Sequence, residues 1–174
     1  MKILKLTLNK ETLVDSDDYE KLSLYSWFTQ VNKQSSGNFK YYGRGEVNGK
    51  KVMLHRFILN ITDRTVQVDH INGNSLDNRK SNLRICTSSQ NNQNARKTNK
   101  KTKSKYKGVI YSPIRSNGKP RKSPWTARIQ KNKERISLGF YKTEEEAARA
   151  YDIKAKELFG EFAVLNFSQQ EITA

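Results

Sequence analysis

From Ile3 to Leu8 the chain reads ILKLTL, with apolar and polar side chains alternating at the period of a half-buried strand. Phe39 to Val47, FKYYGRGEV, has the same character and runs into Asn48-Gly49, the preferred pair for a two-residue hairpin turn. Lys51 to Leu59, KVMLHRFIL, then resumes apolar character, which predicts a hairpin with Asn48-Gly49 at its tip. Between these strands, Asp15 to Trp27 predicts a short helix with Tyr19, Leu22 and Trp27 turned inward. The pattern stops at Asn91, where NNQNARKTNKKTKSK has almost nothing to bury and cannot offset the entropy of ordering itself. It returns as three short strands, Tyr106 to Tyr111, Trp125 to Gln130 and Arg135 to Phe140, with Asn117-Gly118 and Lys131-Asn132-Lys133 as turn segments. A helix follows them. Thr143 is a good N-cap, Glu146 completes a capping box, and the acids of the first turn suit the helix dipole. Ala147, Ala150, Tyr151, Ala155 and Leu158 keep helical spacing, and Gly160 supplies the stop.

This punctuation divides the 174 residues into a segment 1–94, a linker 95–105 and a segment 106–168, and a hydrophobic content of 34% favours two small cores over one large one. The single cysteine, Cys86, excludes a disulfide framework and a cysteine-built zinc site, and is expected to be buried packing. It fits a reducing, cytoplasmic setting. The opening MKILKLTLNK has too short an apolar run for a signal peptide, and no stretch approaches the roughly 18–20 apolar residues of a membrane span, so a soluble chain without a membrane partner is expected.

Charge changes the picture most. The net charge is +16, and from Ala95 to Lys142 there are 16 Lys and Arg against one acid, Glu134. So one-sided an excess points to a polyanion, and nucleic acid fits better than an anionic membrane because no sustained amphipathic helix accompanies it. Extended, Ala95 to Ser104 spans about 33 Å, or about ten base pairs of duplex, so Arg96 and Lys97 are candidates to track phosphates.

One stretch carries candidate chemistry. Residues 68–79, VDHINGNSLDNR, set a carboxylate beside an imidazole in a chain with only two histidines. An Asp-His pair alone means little. The longer string does more: His55-Arg56, Asp69-His70-x-Asn72-Gly73-Asn74, Asp77-Asn78-Arg79, Asn82-Leu83-Arg84, Cys86-Thr87 and Asn91. Over about Val52 to Asn94 this resembles the HNH nuclease family, in particular the homing endonucleases of phages and mobile introns. The resemblance implies a ββα-metal module in which a β-hairpin and the following helix grip one divalent cation. It places Asp69 and Asn91 as metal ligands, His70 as general base and Asn82 as the residue orienting the base.

These residue types suit phosphodiester hydrolysis. Water must lose a proton while charge develops on phosphate and leaving oxygen, and a neutral imidazole accepts protons near neutral pH. One carboxylate and one amide oxygen form a hard, sparsely charged site suited to Mg²⁺ or Mn²⁺. Asn82 is expected to accept the ring N–H at Nδ1, leaving Nε2 as the base. Asn72-Gly73-Asn74 and Asp77-Asn78 read chiefly as turn formers. Arg56, Arg79 and Arg84 are candidate phosphate clamps, the alternative being plain surface charge. His55 is open between a contact to DNA or phosphate and a polar place at the core's rim.

Beyond the linker, Tyr106-Lys107-Gly108-Val109, WTARI from Trp125, RISLGF from Arg135, EEAARAYD from Glu145 and Leu165-Asn166-Phe167 resemble, over about Lys105 to Phe167, the Apetala-two/ethylene-response-factor DNA-binding domain. That implies a three-stranded antiparallel sheet lying in the major groove and backed by one helix. Lys107, Trp125, Arg128, Gln130, Arg135 and Ser137 fall where the family's sheet faces DNA, and Arg115 and Arg121, with Lys119 and Lys122, belong to a lengthened first turn expected to touch backbone. Ile110 occupies a commonly basic place and Ser137 one where plant members often have Trp. The expectation is an α+β endonuclease acting on double-stranded DNA, nicking one strand per active site, with a monomer expected and a dimer open. The rival readings are a non-catalytic DNA-binding regulator that keeps the nuclease fold, and an RNA-binding protein.

Overall fold

At the amino terminus, β1 (Lys2–Lys5) and β2 (Glu11–Val14) form an antiparallel pair, and β2 continues across the molecule by bridging Leu13 to Asp77 in a distant loop. The computed structural model describes residues 1–34, 37–93 and 103–168. It divides into two compact units, Met1–Asn92 and Gln93–Ala174. Residues 95–102 of the expected linker, Arg96 and Lys97 included, lie outside the described residues. No described helix is long and apolar enough to cross a membrane.

In the first unit α1 (Ser16–Ser23) is followed by the antiparallel sheet β3 (Trp27–Lys33), β4 (Phe39–Val47) and β5 (Lys50–Met53), then α2 (Leu54–Ile58). The helix expected over Asp15 to Trp27 is shorter, because Trp27 opens β3 and donates its indole N–H to Leu22 O at 2.8 Å. The hairpin at Asn48-Gly49 is present, both residues having positive φ. Its second strand, however, stops at Met53, and Leu54 to Ile58 turns helical. Leu54 and Ile58, four apart, then share one buried face; an apolar run this short does not reveal its period. Glycine in β4 makes room for this core: a Cβ on Gly43 would meet Leu54 at 2.8 Å, and one on Gly45 the Trp27 ring at 2.7 Å. Leu4, Val14, Leu22, Trp27, Leu54, Ile58 and Leu83 form the shared core.

The same unit ends in a two-stranded antiparallel ribbon, β6 (Gln67–His70) with β7 (Leu83–Cys86), and a helix, α3 (Ser88–Gln93). A single 3₁₀ turn at Lys80–Asn82 leads into β7. The second unit is an antiparallel sheet in the order β10-β9-β8, from β8 (Val109–Tyr111), β9 (Trp125–Lys131) and β10 (Glu134–Tyr141), with α4 (Glu144–Phe159) against it. Both halves of the capping box at Thr143 and Glu146 form, and Gly160 ends the helix with φ 54°. Ala147, Ala148 and Ala155 are small enough for α4 to lie close on Val109, Ala127 and Ile129. Asp152, fully buried, accepts the backbone N–H of Asn166 and Phe167, while Asn166 brackets both backbone polar groups of Lys107. This ties the tail to the strand entrance.

Candidate active site and nucleic-acid interface

The Asp-His pair sits at the end of β6, and both side chains are buried. Alternation along the strand sends them to opposite faces. On one face Asp69 is paired across the ribbon with Arg84, whose Nη2 lies 2.8 Å from Oδ2 with both side chains nearly enclosed. Gln67 shares that face, and its Oε1 accepts the Asn91 amide N–H at 3.0 Å, which brings α3 over the carboxylate's side of β6. The amide oxygen is the other polar atom Asn91 has to offer.

On the opposite face the His70 ring meets a hydrogen-bonded relay. Nε2 is 3.1 Å from Asn78 Oδ1, Asn78 Nδ2 donates to Thr12 Oγ1 at 2.7 Å, and the Thr12 hydroxyl donates to Leu76 O at 2.7 Å. The hydroxyl has one proton and directs it to Leu76, so it shows Asn78 a lone pair. The amide therefore turns Nδ2 to Thr12 and Oδ1 to the ring, and Nε2 must carry the hydrogen. Nδ1 is then the basic nitrogen, opposite to the expectation. Asn82 is not the ring's partner either. Its Oδ1 accepts Asn72 N–H at 2.9 Å and its Nδ2 donates to Asp77 O at 2.7 Å, so it closes the loop between the two strands. Asn78, read from sequence as a turn former, holds the ring.

That loop is braced throughout. Asn78 N–H donates to Leu13 O, Leu13 N–H to Leu76 O, and Lys80 N–H to the Asp15 carboxylate. Asp77 accepts Arg79 through Nε and Nη2 and Asn72 through Nδ2, and the Arg79 guanidinium holds its carboxyl below the usual carboxylate range. The arginines expected to clamp phosphate serve the scaffold instead: Arg56 donates to the carbonyls of Val66 and Asp63, and Arg84 is the buried partner of Asp69. Arg84 satisfies a carboxylate that burial would otherwise leave unpaired, while Arg56 ties down the turn at Asp63 and Val66.

Two rings stand beside His70. His55 meets it edge-on with centroids 5.3 Å apart, and Tyr42 lies 6.3 Å from His70 and 6.2 Å from His55. Burial, with His70 and Arg56 adjacent, pushes His55 down to about 3 and so keeps it neutral. Of its two readings, the partly buried place at the core's rim fits. Burial likewise lowers His70, against the opposing pull of the Asn78 bond, Asp69 and Asp77, so the imidazole is unprotonated near neutral pH. Tyr42 is raised by burial and by Asp69. Thr12, Tyr42 and Asn78 were invisible in the motif, because two of them lie outside it and the third has an obvious local use.

Among the described residues no group of three or more His, Cys, Asp and Glu stands ready to hold a metal. The oxygens of Asp69 and Asn91 nonetheless fit a hard cation that keeps waters and takes further ligands from a substrate, as Mg²⁺ does with one or two carboxylates. Arg84 holds the carboxylate in place, and a carboxylate offers about four lone-pair sites in all.

In the second unit, alternation along β9 sorts the expected DNA contacts. Ala127 and Ile129 face α4, and Trp125 shares their side, half-buried and packing on Tyr111 at 4.8 Å, turned away from the sheet's exposed face. Lys107 is half-buried, and burial lowers its ammonium to about 8, so it too is drawn away from solvent. Arg128, Gln130, Arg135 and Ser137 are exposed on the face opposite α4. The lengthened first turn continues the hairpin through an Ile114 to Pro120 bridge, with Arg115 exposed at its tip and Arg121 stacked 4.0 Å over the Phe140 ring.

A neutral imidazole next in sequence to a buried carboxylate, on a ribbon followed by a helix, gives the first unit a basic nitrogen and a hard oxygen donor. Residues 60–93 match the family model described as HNH endonuclease. The chain is 35% identical over 158 residues to an uncharacterized HNH endonuclease of Acanthamoeba polyphaga mimivirus, covering 88% of this chain and 73% of that protein. The chain belongs to the HNH endonuclease family. It is also 43% identical over 67 residues to an AP2/ERF and B3 domain-containing transcription repressor of Arabidopsis thaliana, and 42% identical over 64 residues to a related transcription factor of that plant. Those stretches cover 38% and 37% of this chain and 16% of each relative, so the architecture joins an HNH nuclease to an AP2/ERF-like part. No solved structure matches.

Proposed function

We propose that this protein is a divalent-metal-dependent, sequence-selective DNA endonuclease of the homing type, in which the first unit cuts one strand and the second selects the site. The observation that carries the reading is the relay Thr12–Asn78–His70, which sets the hydrogen on Nε2 and makes Nδ1 the basic nitrogen of a neutral ring, the atom proposed to accept the attacking water's proton. Asp69 and Asn91 would hold Mg²⁺ or Mn²⁺, which when bound stabilises charge on the scissile phosphate and the leaving oxygen. Arg84 balances the Asp69 charge and keeps its carboxylate oriented across the ribbon. Asn82 positions His70 indirectly, by fixing the loop that carries Asn78. Arg128, Gln130, Arg135 and Ser137 face the duplex, and Arg115 and Arg121 approach phosphates from the long turn. The viral relative and the pairing of a cutter with a reader fit a phage- or mobile-element-borne role; we further infer an intracellular protein that acts as a monomer.

Supercoiled plasmid with Mg²⁺ tests this. Wild type should produce relaxed circles, while His70→Ala binds duplex with the same salt dependence and does not nick. Equal nicking by the variant removes His70 from the reaction. Wild type that binds duplex but fails to nick in either Mg²⁺ or Mn²⁺ supports a binding regulator in its place.

A further inference from the structure

Helix α4 and the tail that follows it cover one face of the three-stranded sheet, and the outward residues of the other face fall in three rows across the strands. One row holds Gln130 and Arg135, the next Arg128 and Ser137, and both are polar. The third is apolar: Ile110 on β8 and Phe140 on β10 flank Thr126 on β9. Ile110 is 39% and Phe140 44% exposed, so neither is needed by the core, while Thr126 between them is fully buried and its hydroxyl has no hydrogen-bond partner.

The phenylalanine is placed there by the backbone. Register slips by one residue between Ser137 and Phe140; regular pairing would set Gly139 opposite Thr126, and the bulge substitutes a ring for a bare backbone. The Arg121 guanidinium then stacks on that ring and donates Nε–H to Ile114 O, so a cation borders the apolar row.

We propose that this row selects thymine: Ile110 and Phe140 pack against thymine 5-methyl groups in the major groove. The inference rests on the reading of this sheet face as the DNA contact. A protein ligand of ordinary charge suits the face poorly, since Ala95 to Lys142 carries one acid among its cations. The major groove is about 12 Å wide, admits a β-ribbon, and shows one apolar feature, the thymine methyl. Outward residues two apart on a strand are separated by about 6.8 Å, which equals two base-pair steps of about 3.4 Å. Strands running along the groove therefore set the thymine-reading row two base pairs from Arg128 and four from Gln130 and Arg135, whose side chains suit guanine and adenine edges.

The full wild-type chain, kept from cutting by EDTA, is used to select from a randomised 20-base-pair duplex library. Each thymine of the enriched sequence is then replaced singly by deoxyuridine, which deletes only the methyl group. Replacement at one or two neighbouring positions should weaken binding about fourfold each, the equivalent of about 0.8 kcal/mol per buried carbon. Ile110→Ala or Phe140→Ala should abolish the sensitivity at one of them while the salt slope stays as in wild type. An enriched sequence indifferent to every deoxyuridine replacement overturns the inference, as does unchanged methyl sensitivity in both variants. Absence of any enrichment together with salt-independent binding overturns the DNA reading of the sheet, and this inference with it.

Discussion

Asn78→Ala isolates the relay that sets the base. The side chain is 1% exposed and makes two hydrogen bonds, to the His70 ring at 3.1 Å and to Thr12 at 2.7 Å. Truncation leaves the ring N–H without an acceptor in a buried place, a cost of about 1–3 kcal/mol of stability for one unsatisfied donor. The kinetic effect is separate. A hydrogen bond worth about 1.4 kcal/mol in favour of one tautomer corresponds to a tenfold population ratio, and lost ring orientation adds to it, so nicking should slow about 10- to 100-fold. Duplex affinity should not change, because Asn78 is too deeply buried to touch a phosphate. The assay is single-turnover plasmid nicking below the variant's melting temperature, paired with long-range ¹H–¹⁵N NMR of the imidazoles. Two histidines make that spectrum assignable. Wild type should show His70 protonated at Nε2, and Asn78→Ala a mixture. Wild-type nicking rates in the variant, or an Nδ1–H tautomer in the native protein, would refute the reasoning.

Two further outcomes concern stability. His55 is held at about 3 in the fold against an ordinary value near 6.5, with His70, Arg56 and Tyr42 around it. A depressed histidine contributes stability that is present above about pH 6.5 and is lost as the pH falls toward 3, by up to about 2 kcal/mol at pH 5. His55→Gln should therefore flatten the acid limb of Tm against pH, and an unchanged limb would count against a buried neutral His55. In the second unit, Gly108 has φ +75°, and a Cβ there would lie 2.0 Å from the Tyr151 ring. Gly108→Ala should cost about 3 kcal/mol or more through strain and overpacking, read as a drop in the denaturant midpoint of that unit.

Much was legible in the residues themselves. Period-two alternation located the strands on either side of the basic stretch, the Asn48-Gly49 turn and the Thr143 capping box stand where local chemistry places them, and the resemblance to the HNH family, not spacing alone, implied Asp69, His70, Asn82 and Asn91 as a set. These are features whose physics is contained within a few neighbouring residues. What a side chain bonds to is a different kind of fact. Asn78 and Thr12 are 66 residues apart, and their contact exists because β2 bridges onto the loop between β6 and β7. The arginines at 56 and 84 look like any surface cations until burial shows them answering backbone carbonyls and a carboxylate. Trp125 lies on the side opposite to the one expected because alternation from Ala127 turns it toward α4, and Phe140 faces outward because one bulged residue shifts its register. Local periodicity determined most of the elements, though not α2; strand pairing across the chain decided which nitrogen of His70 is basic and which residues meet solvent, because hydrogen-bond partners and sheet faces are properties of elements brought together.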